Sequence, residues 1–339
     1  LASKRQWLTR LATAGAVLVF CVIMLGAWTR LSDAGLGCPD WPTCYGMLTV
    51  PTEAADVARA DALYPAQPVE APKAWPETIH RYFASSLGCT IIALALLAWL
   101  GRREPGMPVK HALFLLFLVC VQGAFGAWTV TMKLFPPVVT THLLLGFTTF
   151  TLLVLLALRG AAAFPPLGDS ACARLLPLAG IAIAVLAVQI FLGGWTASNY
   201  AAASCTELPV CQSGWQQQLN FHDAFQPFGR QVQTYQYAPQ LGADAKLTIH
   251  VVHRIGAWCT SAVLLTLVVF LWRAAGQARY RRFALALLAL LAVQVSLGIS
   301  NIVFQLPLPV AVAHNAVAAL LLQLLVALAF SLYRERERT

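Results

Sequence analysis

Of the 339 residues 59% are hydrophobic and 11% charged, where an average soluble domain carries about 25% charged residues, so this is a membrane composition that leaves little chain for a soluble domain. The formal charge of +9 comes from 23 Lys+Arg against 14 Asp+Glu. Its distribution excludes a polyanion as the explanation, because the bases gather on one side of the spans described next, and no nucleic-acid partner is expected.

Apolar runs long enough to cross a bilayer, about 20 residues each, lie at 11–29, 79–100, 111–130, 139–158, 174–195, 249–272, 283–303 and 309–333. Lys4, Arg5, Arg10, Arg102, Arg103, Lys110, Arg159, Arg174, Arg273, Arg279, Arg281, Arg282, Arg334, Arg336 and Arg338 all fall on one side of this eight-span pattern. By the positive-inside rule that side is cytoplasmic, which predicts cytoplasmic termini and places the two long loops, 30–77 and 196–248, outside. The first run, preceded by bases, also reads as a cleaved signal peptide. We keep it as a permanent span because its C-terminal motif returns deeper in the chain.

That motif is Gly26-Ala-Trp-Thr-Arg30, echoed by Gly126-Ala-Trp-Thr-Val130, by Gly193-Gly-Trp-Thr-Ala197 and, in worn form, by Gly298-Ile-Ser-Asn301. Gly26 to Cys38 and Gly193 to Cys205 are both 12 residues (38 − 26, 205 − 193), and Gly126 to His142 and Gly298 to His314 are both 16 (142 − 126, 314 − 298). Two four-helix halves, 1–160 and 170–339, therefore repeat each other. An even span offset makes them parallel repeats about an axis along the membrane normal. The expected fold is an all-α membrane protein of eight transmembrane helices in two pseudo-symmetric bundles. The small residues suit close helix approach, and the Trp at the outer end of each odd span suits the interfacial aromatic belt.

Between the first two spans, Gly35-Leu-Gly-Cys-Pro-Asp-Trp-Pro-Thr-Cys44 is rich in turn formers, and the rest of that loop reads as irregular. The fifth-to-sixth loop holds Cys205, Cys211, Asn220-Phe-His-Asp-Ala-Phe225 and a Gln/Tyr-rich stretch. The outer location favours two disulfides, Cys38–Cys44 and Cys205–Cys211, with a four-cysteine zinc site as the competitor.

Four histidines, His80, His142, His253 and His314, fall near the outer starts of the four even spans. Ionisable residues inside spans mark function by default. Facing imidazoles in a helical bundle hold metals or haem, and two can be axial ligands of one iron. Zinc or copper is the alternative. One His pair per half, with Arg81 and Arg254 directly after His80 and His253, suits two anionic, apolar haems better. Each Arg would point off the iron axis toward a propionate, or merely snorkel at the boundary. Trp75-Pro-Glu-Thr-Ile-His-Arg81 and Thr248-Ile-His-Val-Val-His-Arg254 align at an offset of 253 − 80 = 173, which sets Glu77 opposite His250. A residue three before a ligand shares its helix face, so Glu77 is either a proton-handling group beside His80 or a helix-start carboxylate on the dipole. His111, at a cytoplasmic helix start, carries no expected role, and His222 lies in a loop.

These residues together resemble the haem A synthase family: Gly35 to Cys44, Glu77-Thr-Ile-His-Arg81, Thr141-His142-Leu, Cys205 with Cys211, His253-Arg254 and His314-Asn315, across nearly all eight spans. The resemblance implies an inner-membrane oxidoreductase of cytochrome oxidase biogenesis that oxidises the C8 methyl of haem O to a formyl group, giving haem A. It implies substrate haem O on His80 and His142, a haem b cofactor on His253 and His314, and a catalytic Glu77. Haem O synthase, an electron donor and a second copy of the chain are the candidate protein partners. The rival readings are a di-haem b electron-transfer cytochrome and a membrane haem carrier or assembly factor.

Overall fold

The computed structural model describes residues 3–228 and 241–337. Among them eight helices are long and apolar enough to cross a membrane. They are α1 (Lys4–Leu31), α2 (Ala71–Leu100), α3 (Val109–Thr131), α4 (Pro136–Gly160), α5 (Leu176–Ser198), α6 (Ala243–Ala274), α7 (Ala278–Val303) and α8 (Leu308–Arg336). No β-strand occurs among the described residues, so the all-α class holds. A bilayer offers no partner to backbone N–H and C=O groups, and a helix satisfies them within itself. The hydroxyls inside the spans follow the same rule: Thr90 donates to Ser86 O at 2.9 Å, Thr149 to Leu145 O at 2.9 Å and Thr260 to Gly256 O at 2.8 Å. The Gln/Tyr-rich stretch and Arg338 lie outside the described residues.

Helix starts are written locally. Ser3 and Gln6 form a reciprocal capping box on α1. Proline opens the first turn of α2, α4, α5 and α8, where its missing N–H costs nothing. Several helices start before their apolar runs, and on the side of the four histidines the two largest extensions are α2, which begins at Ala71, and α6, which begins at Ala243, eight and six residues before the runs at 79 and 249. The added turns contain Pro72, Lys73, Pro76, Asp244 and Lys246, too polar for a hydropathy signal. They pack against the loops that follow α1 and α5, where Ala74 shares a core with Cys38 and Cys44 and Thr248 Oγ1 accepts from Asn220 N at 2.8 Å. The first loop is also less irregular than expected, since Ala54–Leu63 is helical and Ala60 joins Tyr45, Val50 and Ala74 in a small core. Burial pushes the Tyr45 phenol up to about 12. It therefore stays protonated as the donor of a 3.0 Å bond to Pro68 O.

In the first half α1 packs on α2 and α4, α2 on α3, and α3 on α4; in the second, α5 packs on α6 and α8, α6 on α7, and α7 on α8. Across the halves α1 meets α8, α4 meets α5, and α4 meets α8. One apolar core runs through both, with Leu8, Leu153, Leu267 and Leu325 fully buried. Large apolar side chains such as Leu96, Phe117 and Trp258 stay exposed on the outside, where lipid is their natural solvent. The sharp turns also recur. Lys133 and Leu134 after α3, and Gln305 and Leu306 after α7, all take the left-handed backbone region. In each turn the second residue's N–H reaches back 2.8 Å, to Thr129 O and to Asn301 O respectively.

The connector between halves is fixed by one buried carboxylate. Glu335, 0% exposed on α8, accepts from Leu167 N at 2.8 Å, Gly168 N at 2.9 Å, Asp169 N at 3.3 Å and Tyr280 OH at 2.9 Å. Hydrogen bonds to a charged group contribute more than neutral ones. Glu335→Ala is therefore expected to cost about 2–3 kcal/mol, read as a lower melting temperature of the detergent-solubilised protein, with Glu335→Gln intermediate. An unchanged melting temperature for both variants would contradict this role.

Candidate functional site

The first glycine of each copy of the recurring motif faces the histidine of the next helix. A Cβ added at Gly26 would sit 3.1 Å from His80 Nε2, at Gly126 3.3 Å from His142 Cε1, at Gly193 3.3 Å from His253 Cε1, and at Gly298 3.2 Å from His314 Cε1. Close approach was expected of these glycines. What approaches is an imidazole, so the motif shapes the site as well as the packing. All four rings are half-buried. His80 and His142 stand on helices of the α1–α4 group, and His253 and His314 on helices of the α5–α8 group. The structure thus groups the histidines as one pair in each half. His142 and His314 are the seventh residues of their helices, but His80 and His253 are the tenth and eleventh, deeper than two turns because α2 and α6 start early. Gly193→Ala is expected to push the His253 ring aside and lower bound chromophore per protein. A variant with full chromophore would contradict the tight contact.

Sequence reasoning missed three glutamines one helical turn before these glycines: Gln122, Gln189 and Gln294, at 126 − 122 = 193 − 189 = 298 − 294 = 4. Gln122 Nε2 donates to His142 O at 3.0 Å. Gln189 Nε2 donates to His253 O at 3.0 Å and lies 3.1 Å from His253 Nδ1. Gln294 Nε2 lies 3.2 Å from His314 Nε2. The signal was available as a polar residue at a constant step inside three apolar runs. In α1 the position is Val22.

Glu77 and His250 lie within α2 and α6, on the faces of His80 and His253, and are 5% exposed each. Glu77 Oε2 accepts from Cys38 N at 3.0 Å and its Oε1 from Arg81 Nη2 at 2.5 Å. In the other half His250 Nδ1 lies 3.1 Å from Cys205 N and Nε2 3.2 Å from Arg254 Nε. The structure gives both arginines loop carbonyls as partners. Arg81 Nη1 donates to Thr43 O at 2.5 Å, and Arg254 donates to Cys205 O at 2.6 Å, Glu207 O at 2.6 Å and Val210 O at 2.7 Å. These loops are closed by disulfides Cys38–Cys44 and Cys205–Cys211. Each half therefore has the same cap: a disulfide loop clamped to the ligand-bearing helix by an arginine and an ionisable residue. A carboxylate has about four lone-pair sites. Glu77 keeps acceptor capacity beyond its two clamping bonds.

The third motif tryptophan departs from the aromatic-belt expectation. Trp28 and Trp128 are exposed, but Trp195 is 4% exposed and donates from Nε1 to Ala224 O at 2.9 Å. The short helical turn at 221–224 covers it. His222 on that turn is exposed beside Asp223, and His111 lies 3.4 Å from Arg159, both remote from the histidine pairs.

With the loop cysteines in disulfides, no cluster of three or more His, Cys, Asp and Glu suited to a metal occurs among the described residues. The remaining donor sets are two imidazole pairs, and Nδ1 of His142 and of His314 is buried without a hydrogen-bond partner. Two imidazoles from facing helices, shaped by glycines that a Cβ would fill, fit the axial needs of a haem iron.

A family model described as cytochrome oxidase assembly protein, COX15-CtaA, matches residues 9–326. The chain belongs to the COX15-CtaA family. Among its relatives, a protein of Shewanella oneidensis named Heme A synthase is 45% identical over 333 residues, 98% of each chain. Proteins of the same name from Sphingopyxis alaskensis and Rhizorhabdus wittichii are 31% and 30% identical, covering 93% and 91% of this chain and 88% of each relative. Similarity to these family members runs through both halves.

Proposed function

We propose that this chain is a haem A synthase, an oxidoreductase that converts the C8 methyl of haem O to a formyl group. The observation that carries the reading is the 45% identity over 98% of both chains with a relative of that name. Two histidine pairs, one in each half, support a protein that handles two haems. We assign His80 and His142 in residues 1–160 to substrate haem O, and His253 and His314 in residues 170–339 to a resident haem b, the halves being pseudo-symmetric. Bound haem b would supply one-electron chemistry.

The residues of the chain do the rest. The disulfide caps keep water from the outer mouth of each pair, clamped there by Arg81 and Arg254. Glu77, three residues from His80 on the same face, holds or moves a proton at its carboxylate while the methyl is hydroxylated twice and the gem-diol loses water. The chain spans the inner membrane with both termini cytoplasmic and its disulfide loops outside, in the oxidising compartment. Haem O synthase and an electron donor are its natural neighbours.

The test is expression in cells that make haem O but no haem A, followed by haem extraction and chromatography. Hydroxylated and formyl haem are expected. Only unchanged haem O, with the protein well expressed, would instead assign a carrier or an electron-transfer cytochrome.

A further inference from the structure

The four imidazoles differ in one respect that nothing in the cap explains. Gln189 and Gln294 approach both imidazoles of the second half, at 3.1 Å from His253 Nδ1 and 3.2 Å from His314 Nε2. In the first half only Gln122 is present, 3.0 Å from His142 O. His80 has Val22 at the matching step of its facing helix and no side-chain hydrogen bond among the described residues. The carbonyl oxygens of Gln122, Gln189 and Gln294 are buried without a partner. Turning the Gln294 carboxamide over offers its oxygen where its NH2 stood, at His314 Nε2, while Gln189 keeps its NH2 on His253 O at 3.0 Å and holds that ring from the same side. A ligand imidazole needs such an acceptor on its second nitrogen, because that bond fixes the tautomer, holds the ring's rotation and raises its basicity.

We infer that Gln189 and Gln294 are positioning residues that lock the imidazoles of the second half as permanent ligands, whereas Val22 leaves His80 unlocked so that the haem it binds can leave. The difference between a retained and an exchanging haem is thus written in the helices that face the ligands. This rests on the two-haem assignment above. It adds the reason why two halves with the same histidine pair and the same cap behave differently.

The experiment uses the full-length protein purified in detergent and challenged with excess apomyoglobin as haem acceptor. Transfer of haem B and of haem O or A is timed separately by extraction. Outer partners of metal ligands contribute about 10- to 100-fold in affinity. Gln294→Leu is therefore expected to release haem B about 10- to 100-fold faster, and Val22→Gln to slow release of haem O or A. A redox titration separates positioning from mere packing. Gln294→Leu should raise the midpoint potential of the haem in the second half by removing the acceptor, and Gln294→Glu should lower it by strengthening the acceptor. Release rates within twofold of the parent, or potentials shifted the same way by Leu and Glu, would overturn the inference while leaving the two-haem reading intact. A protein that binds no haem under any of these conditions would overturn both.

Discussion

Replacing His253 or His314 with leucine is expected to remove the haem b spectrum while the protein still inserts and folds. On the proposed assignment each imidazole is one half of an axial set, and its facing glycine, Gly193 or Gly298, leaves just enough room for the ring. Loss of an outer partner alone costs about 10- to 100-fold in metal affinity, so loss of the ligand itself should exceed that range. Leucine at 253 leaves Gln189 its bond to the backbone oxygen of that residue, whereas leucine at 314 leaves the Gln294 carboxamide unpaired, so the melting temperature is read beside the spectrum. Absorption spectra of the purified variants decide the matter. A normal six-coordinate haem b in either variant would reassign the ligands.

Glu77→Gln is expected to lower haem A formation by about 100- to 10,000-fold, the range for loss of a general acid or base, with both haem sites still filled. The clamp makes this a demanding test, since Glu77 also accepts from Cys38 N and Arg81. Glutamine keeps an oxygen for the Cys38 N–H and loses the charge and the Arg81 bond, while Arg81 retains Thr43 O as a partner. A cap that merely needs a hydrogen-bond acceptor would survive, as the His250 cap does without a carboxylate. Product should then stall at haem O or its hydroxylated form. Near-normal haem A from a well-expressed Glu77→Gln protein would leave Glu77 as part of the clamp alone.

Much of this arrangement was legible in the sequence because a bilayer imposes long apolar runs and a duplication repeats its spacings. The eight spans, the two loop cysteine pairs and the histidine pairing all came from those two signals. The early starts of α2 and α6 did not, since prolines, charges and Trp75 hide a helix from a hydropathy reading. The arginines were aimed at a ligand from helix geometry alone; the carbonyls they hold belong to loops folded back from 38 and 44–49 residues away along the chain, which no local pattern encodes. The glycines were read for backbone approach although their spacing to the histidines was already on view. Gln122, Gln189 and Gln294 were hidden by the apolar runs around them, and Trp195 by a loop that covers it in the second half only.

The most direct measurement is a haem inventory of the purified protein during a pulse of haem O. The account predicts one haem B per chain that stays constant, beside a second pool that enters as haem O and leaves as haem A. A single pool of unchanging haem B, or haem O that exchanges without ever gaining oxygen, would contradict it.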